Sequence, residues 1–90
     1  MKHGLFSVRD AATETYNNTF TAPTNAAAMR EFGQLAQDKN TNVNRYPDDF
    51  ILYRVGSWDD DTGSLQPEEL IKLAHARDYN HEQSAETTKS

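Results

Sequence analysis

Cysteine is absent from the 90 residues, so no disulfide framework braces the fold and no thiol serves as nucleophile or metal ligand. Glycine occurs four times, proline three times and tryptophan once, and no glycine-rich phosphate loop or nucleophile elbow is spelled out. No apolar run approaches the roughly 20 residues of a membrane-spanning helix, and the start Met1-Lys2-His3-Gly4-Leu5-Phe6 lacks the apolar core of a secretion signal. A cytoplasmic protein without membrane contact is expected. Basic residues are in deficit: nine Lys and Arg stand against fourteen Asp and Glu, a net charge of −5. That balance opposes generic attraction to nucleic acid or anionic lipid and leaves only a local basic patch open. His3, His75 and His81 are too scattered for a zinc pattern. A chain this small with no cysteine, metal site or cofactor motif is expected to be non-enzymatic, with no cofactor and no small-molecule substrate.

What the chain does contain is one dense apolar stretch inside Arg45 to Leu65. Phe50, Ile51, Leu52, Tyr53, Val55 and Trp58 are the aromatic, branched and aliphatic side chains that suit a pleated, largely buried surface. Pro47 sets the entry, because the residue before a proline leaves the helical region. Asp59 to Gly63 supplies the turn, and Ser64 and Leu65 resume an extended path. Strict alternation puts Ile51, Tyr53 and Val55 on one face and Phe50, Leu52 and Trp58 on the other. Both faces of this strand therefore need a cover, from the segment after Leu65 or from a second copy of the chain.

The remaining elements follow in order. Lys2 to Arg9 alternates Gly4, Phe6 and Val8 against Leu5, Ser7 and Arg9, which predicts a first strand with Phe6 and Val8 facing the core. Asp10 to Glu14 is a hairpin loop, and Thr15 to Ala22 is a second, more polar strand suited to an edge. Thr24 or Asn25 caps a helix running to about Gln37, with Ala28, Met29, Phe32, Leu35 and Ala36 on one face. Gly33 marks either a close backbone approach or a tolerated surface position. Asp38 to Asn44 is polar linker anchored by Val43. Pro67-Glu68-Glu69 followed by Leu70, Ile71, Leu73 and Ala74 fits a short second helix, with proline and acids at its start and His75 and Arg77 at its end. Residues 80–90 read as a flexible tail. The expected whole is a single α+β domain over residues 1–79: a small antiparallel sheet of two hairpins with one helix on a face.

Few side-chain groupings carry chemistry. An EF-hand frame with Gly63 at the sixth position and Glu69 at the twelfth puts Trp58 where the first carboxylate belongs, so the acidic run reads as a solvated turn. Asp48 and Asp49 are strand-entry neighbours that point apart, suited to a turn or cap rather than a carboxylate pair. Asn17-Asn18-Thr19 fits a glycosylation sequon, which has no meaning without a secretory route. The one pattern directed at a ligand interleaves cations with rings: Lys2, Arg9, Arg45, Arg54 and Trp58, with Tyr53 the alternative ring. Single-strand binding surfaces combine stacking rings and cations in this way. Four apart on a strand, Arg54 and Trp58 are expected to share a face, with Tyr53 on the other. The competing reading makes Tyr53 and Trp58 core and the arginines solvated edges.

Several stretches together resemble the small nonstructural protein of gokushovirus-type microviruses (Microviridae), phages with circular single-stranded DNA genomes. They are Met1-Lys2-x-Gly4-Leu5-Phe6-x-Val8-x-Asp10, Ala28-Met29-Arg30-x-Phe32, Pro47-x-Asp49-Phe50-x-Leu52-Tyr53-x-Val55-Gly56, Trp58-Asp59-Asp60 and Thr62-Gly63-x-Leu65. The likeness runs from Met1 to about Leu65; Tyr46 stands where that family more often has histidine, and the segment after Pro67 does not follow its pattern. The resemblance implies a protein made in the infected bacterial cytoplasm and absent from the virion, serving genome replication or single-stranded DNA synthesis, with no catalytic residues to carry over. Its partners would be single-stranded DNA or replication proteins. The alternative is a self-associating interaction module, a homo-oligomer directed at a host or phage protein.

Overall fold

The computed structural model describes residues 1–79; the tail expected at 80–90 lies outside the described residues. The elements are β1 (Lys2–Asp10), β2 (Thr15–Tyr16), β3 (Phe20–Ala22), α1 (Asn25–Gln37), α2 (Asn42–Arg45), a 3-10 turn at Pro47–Asp49, β4 (Phe50–Asp59) and β5 (Ser64–His75). A last helical turn covers 76–79. All strands pair antiparallel in one five-stranded sheet of order β2-β1-β4-β5, with β3 continuing the edge of β1 that β2 begins. The fold is α+β, as the two periodicities require. No helix among the described residues is long and apolar enough to cross a membrane.

The core lies on one face of this sheet. Phe6, Val8, Phe50 and Leu52 project toward α1, which answers with Ala28, Phe32 and Ala36. The expected phase of β1 is correct: Phe6 is fully buried and Val8 nearly so. Helix α1 begins where its capping signal stands, since the Thr24 hydroxyl accepts from the Ala27 amide at 3.1 Å. Gly33 is a close approach. It is buried, and a Cβ there would meet the ring of Tyr79, which packs edge-on against Phe32 with ring centroids 6.0 Å apart. Val43 anchors the segment after α1 as expected, but the anchor is a short helix, α2, started by the Thr41 hydroxyl accepting from the Asn44 amide at 3.2 Å.

Two expectations need correction. The strand expected over Thr15 to Ala22 is two short strands, β2 and β3, because the intervening residues leave the ladder; the Asn17 carbonyl accepts from the buried Ser7 hydroxyl at 2.7 Å. The short helix expected after Pro67 is instead the second half of β5, paired with β4 from Asp59↔Ser64 to Ile51↔His75. The helix-like spacing of Leu70, Ile71, Leu73 and Ala74 comes from irregularities. Between Pro67 and Ile71 three residues oppose the single Val55, and Leu73 is an extra residue between Lys72 and Ala74. Each insertion resets the alternation, so apolar residues fall three and four apart on what is still an extended strand.

Candidate nucleic-acid interface on the open face of the sheet

The register of β1 against β4 decides which side chains share a face. It runs Asp10↔Phe50 to Phe6↔Arg54, skips Val55, and resumes from Leu5↔Gly56 to Lys2↔Asp59. Residues paired across an antiparallel ladder lie on the same face, and β1 alternates without interruption. Arg54 therefore stands beside Phe6 on the helix side, whereas Trp58, opposite His3, stands on the far side with Leu5, Arg9, Ile51 and Tyr53. The bulge at Val55 thus overturns the expectation that Arg54 and Trp58 share a face and Tyr53 opposes them. Tyr53 and Trp58 are the pair on one face.

That far face is not covered by α1, and its β1 and β4 side chains are partly exposed apart from the buried Ser7. Tyr16 lies directly across from Arg9, whose guanidinium carbon sits 5.9 Å from the centre of the Tyr16 ring. Tyr16 in turn meets Tyr53 edge-on with centroids 5.8 Å apart, and Tyr53 pairs across β4 and β5 with Lys72. Cation, ring, ring and cation thus form one band across four strands, Arg9–Tyr16–Tyr53–Lys72. Tyr16 is 43% exposed and Tyr53 half-buried, so both rings reach the surface. Trp58 lies on the same face, six β1 positions from Arg9 and so about 20 Å away at the usual strand rise. This is a surface of two mutually inclined rings flanked by cations, with the groups that stack on unpaired bases and neutralise phosphates.

The other expected contact residues are placed elsewhere. Arg54 is used internally: its Nε donates to Glu68 Oε1 at 2.9 Å, its Nη1 donates to Asn25 Oδ1 at 2.7 Å, and its guanidinium carbon lies 5.7 Å from the Phe6 ring centre. It ties β5 and the start of α1 to the core face, and its pairing holds the Glu68 carboxyl below its ordinary pKa. Lys2 pairs with Asp59 on the helix side, at the end of the sheet remote from the band. Arg45 is exposed on α2, away from the sheet face. Of the five residues expected, the structure brings Arg9 and Trp58 to one face and leaves Lys2, Arg45 and Arg54 off it. Sequence reading missed Tyr16 and Lys72. Tyr16 sits in a polar strand with no hint of its ring partner, and Lys72 sat in the segment read as helix. The retrievable signal was Gly56: a glycine inside a strand pattern marks a bulge or a close approach.

The acidic turn after β4 is also built, but around the chain's own amino group. The Met1 ammonium donates to Asp60 Oδ1 at 2.7 Å and also reaches Asp59 and Asp61, while His3 Nε2 lies 2.8 Å from Asp60 Oδ2. The three carboxylates bring one oxygen each within 4.8 Å of one another, and the ammonium is the cation they surround. Its hydrogen bonds to Asp60 and Asp61 push its pKa up to about 10. The same contact, helped by His3, lowers that of Asp60, and the Asp61 amide lowers that of Asp59.

No curated protein and no solved structure gives a significant match to the chain. A family model does: the phage ORF5 protein model covers residues 3–79, which takes in all of the sheet but Lys2, helices α1 and α2 and every residue of the exposed band. The chain belongs to the phage ORF5 protein family.

Proposed function

We propose that this phage protein is a non-enzymatic, nonstructural accessory factor of a gokushovirus-type microvirus. It acts in genome replication or single-stranded DNA synthesis in the infected cell's cytoplasm by holding single-stranded DNA on the open face of its sheet. The observation that carries the reading is the Arg9–Tyr16–Tyr53–Lys72 band. A molecule with net charge −5 repels a polyanion as a whole, so a DNA contact has to use a surface where rings and cations are gathered. This band is such a surface. Its rings favour unpaired bases, whose π-faces are available, over the stacked interior of a duplex.

Trp58 reports on the same face and is the sole tryptophan. Titration of the full chain with an oligothymidine at low salt should change its emission and yield a complex by an independent method such as anisotropy. Tyr53→Ala should weaken binding by about 1 to 3 kcal/mol, the usual contribution of one base stacked on one ring. Arg45→Ala, off the face, should leave affinity unchanged. Equal losses in the two variants, or no complex at all, would remove the open-face reading.

A further inference from the structure

The helix side of the sheet, opposite the band, carries an uncovered trough of about 450 Å³ beside α1. The buried Val8 and Phe32 form its floor. Phe20 of the short edge strand β3 stands on one side; it pairs with Phe6 and so faces the helix side as well. The other side is α1 itself. Glu31, Gln34, Leu35 and Asp38 follow the i, i+3, i+4, i+7 spacing of a single helix stripe, with Asp38 the residue that ends the helix. All four are exposed, and Leu35 is 42% exposed although its spacing belongs to the apolar stripe of α1.

The trough is apolar along its middle and acidic at both ends. Glu31 and Asp38 stand two helical turns apart, about 10 Å along the axis. Among the described residues neither makes an ion pair, and Asp38 Oδ1 accepts from the Asn40 amide at 3.0 Å. The neighbouring cations Arg30 and Lys39 do not line the trough. Asp38 also marks the negative end of α1, whose last turn holds no basic residue. An occupant therefore has to bring apolar side chains for the middle and a cation for each end. A helix supplies that pattern on one stripe, with cations at i and i+7 and apolar residues at i+3 and i+4, and two such stripes pack with their axes about 8 to 10 Å apart. A strand does not fit, because β3 is three residues long and Pro23 follows it, which leaves no run of edge for a ladder.

We propose that this trough docks a basic amphipathic helix of another protein, with two cations seven residues apart set against Glu31 and Asp38 and the apolar residues between them packed on Leu35 and Phe20. The mode is a helix laid in a groove, read by its anchors on one stripe. One helix in a short trough is a small interface, and the complex belongs in the weak, transient class. The trough and the band lie on opposite sides of the sheet, so a protein partner and a single strand do not compete for one surface. The inference goes beyond DNA binding and does not require it.

The test is fluorescence anisotropy of a labelled, alanine-based helical peptide with lysines at i and i+7 and leucines at i+3 and i+4, titrated with the full chain up to several hundred micromolar at low salt. Saturable binding is expected. Replacing both leucines of the peptide by alanine, or both lysines by glutamate, should each weaken it about tenfold or more. On the protein, Leu35→Ala should raise the dissociation constant about tenfold and Glu31→Lys about fivefold, while Leu70→Ala, at another exposed leucine on β5, should leave it unchanged. Glu31→Lys and Asp38→Lys combined should reverse the preference, so that the glutamate peptide binds and the lysine peptide does not. Circular dichroism confirms that each variant is folded, and the peptide replacements need no variant at all. No saturable binding of the lysine peptide overturns the proposal, as does equal binding of the glutamate peptide to the wild type or an equal loss in Leu35→Ala and Leu70→Ala. Loss of oligothymidine binding with this pattern intact removes the proposed function and leaves the trough standing.

Discussion

At the scale of single residues, the ring of Phe32 shows how directly packing follows from sequence. It is fully buried between the sheet and Tyr79, at a position the helical spacing of Ala28, Phe32 and Ala36 already assigned to the core. Phe32→Ala should cost about 3 to 5 kcal/mol in chemical denaturation; a loss below about 1 kcal/mol would mean the helix face is not part of the core. The candidate site was far less legible. Alternation is a counting rule, and Val55 adds one to the count without any mark of its own. Past it, Trp58 changes sides and Arg54 becomes a structural tie rather than a ligand contact. Gly56 carried the only trace of this, since a Cβ there would land on the Gln66 carbonyl oxygen of the neighbouring strand. The Met1 contact was invisible for a different reason: the chain's first and sixtieth residues meet only because β1 and β4 pair in this register.

That contact gives a pH dependence whose sign follows from the shifts. Met1 is raised from 8.0 to about 10 by its hydrogen bonds to Asp60 and Asp61, so its contribution is fully present below about pH 8 and is lost as pH rises through 10. Asp60 and Asp59 are lowered, so theirs is present above the ordinary carboxylate range and is lost as pH falls through their depressed values. Both groups are exposed, and the effect is local rather than global. Amide exchange at the ends of β1 and β4, corrected for its intrinsic pH dependence, should therefore show protection falling between pH 8 and 10 while the centre of the ladder at Val8 and Leu52 holds. Uniform loss across both regions would mean the amino group does not pin the turn.

Among the elements, α1 was readable to its ends because every local cue agreed: a capping threonine, three alanines and a four-residue apolar repeat. Thr24→Ala removes the acceptor for the Ala27 amide and should cost about 1 kcal/mol, measured as a shift in the denaturation midpoint with the slope unchanged. β5 was unreadable because its cues disagreed with its surroundings. Pro67 and two acids ahead of a leucine-rich stretch favour a helix start, but β4 offers a full-length strand edge with nothing else to satisfy it. Ladder formation along β4 outweighs a propensity difference of a few tenths of a kcal/mol per residue. Gly56 is the position on which this pairing depends. Gly56→Ala forces the Gln66 backbone to move, and a loss of about 1 to 3 kcal/mol is expected, the usual range for a forced close contact. A neutral result would show that β5 is free to slide on β4.

For the molecule as a whole, charge and shape pull in different directions, and the balance sets what it binds. A net charge of −5 disfavours any polyanion at long range, while the open face gathers two cations and two tyrosines in a single band. Short-range contacts must then supply the affinity, and the salt dependence should be shallow. Each phosphate neutralised on a single strand contributes about −0.7 to the slope of log affinity against log salt, so Arg9 and Lys72 together give a slope near −1.4. Arg9→Ala should flatten it by about 0.7 and weaken binding to all sequences alike, because a phosphate contact reads no base. Tyr53→Ala should weaken binding without changing the slope, because stacking releases no counterions. A duplex of the same length offers the charge but not the free base faces and should bind more weakly than the single strand at every salt concentration. A slope much steeper than two phosphates allow, or equal binding of duplex and single strand, would mean that the contact is general electrostatics elsewhere on the chain and that this band is not the site.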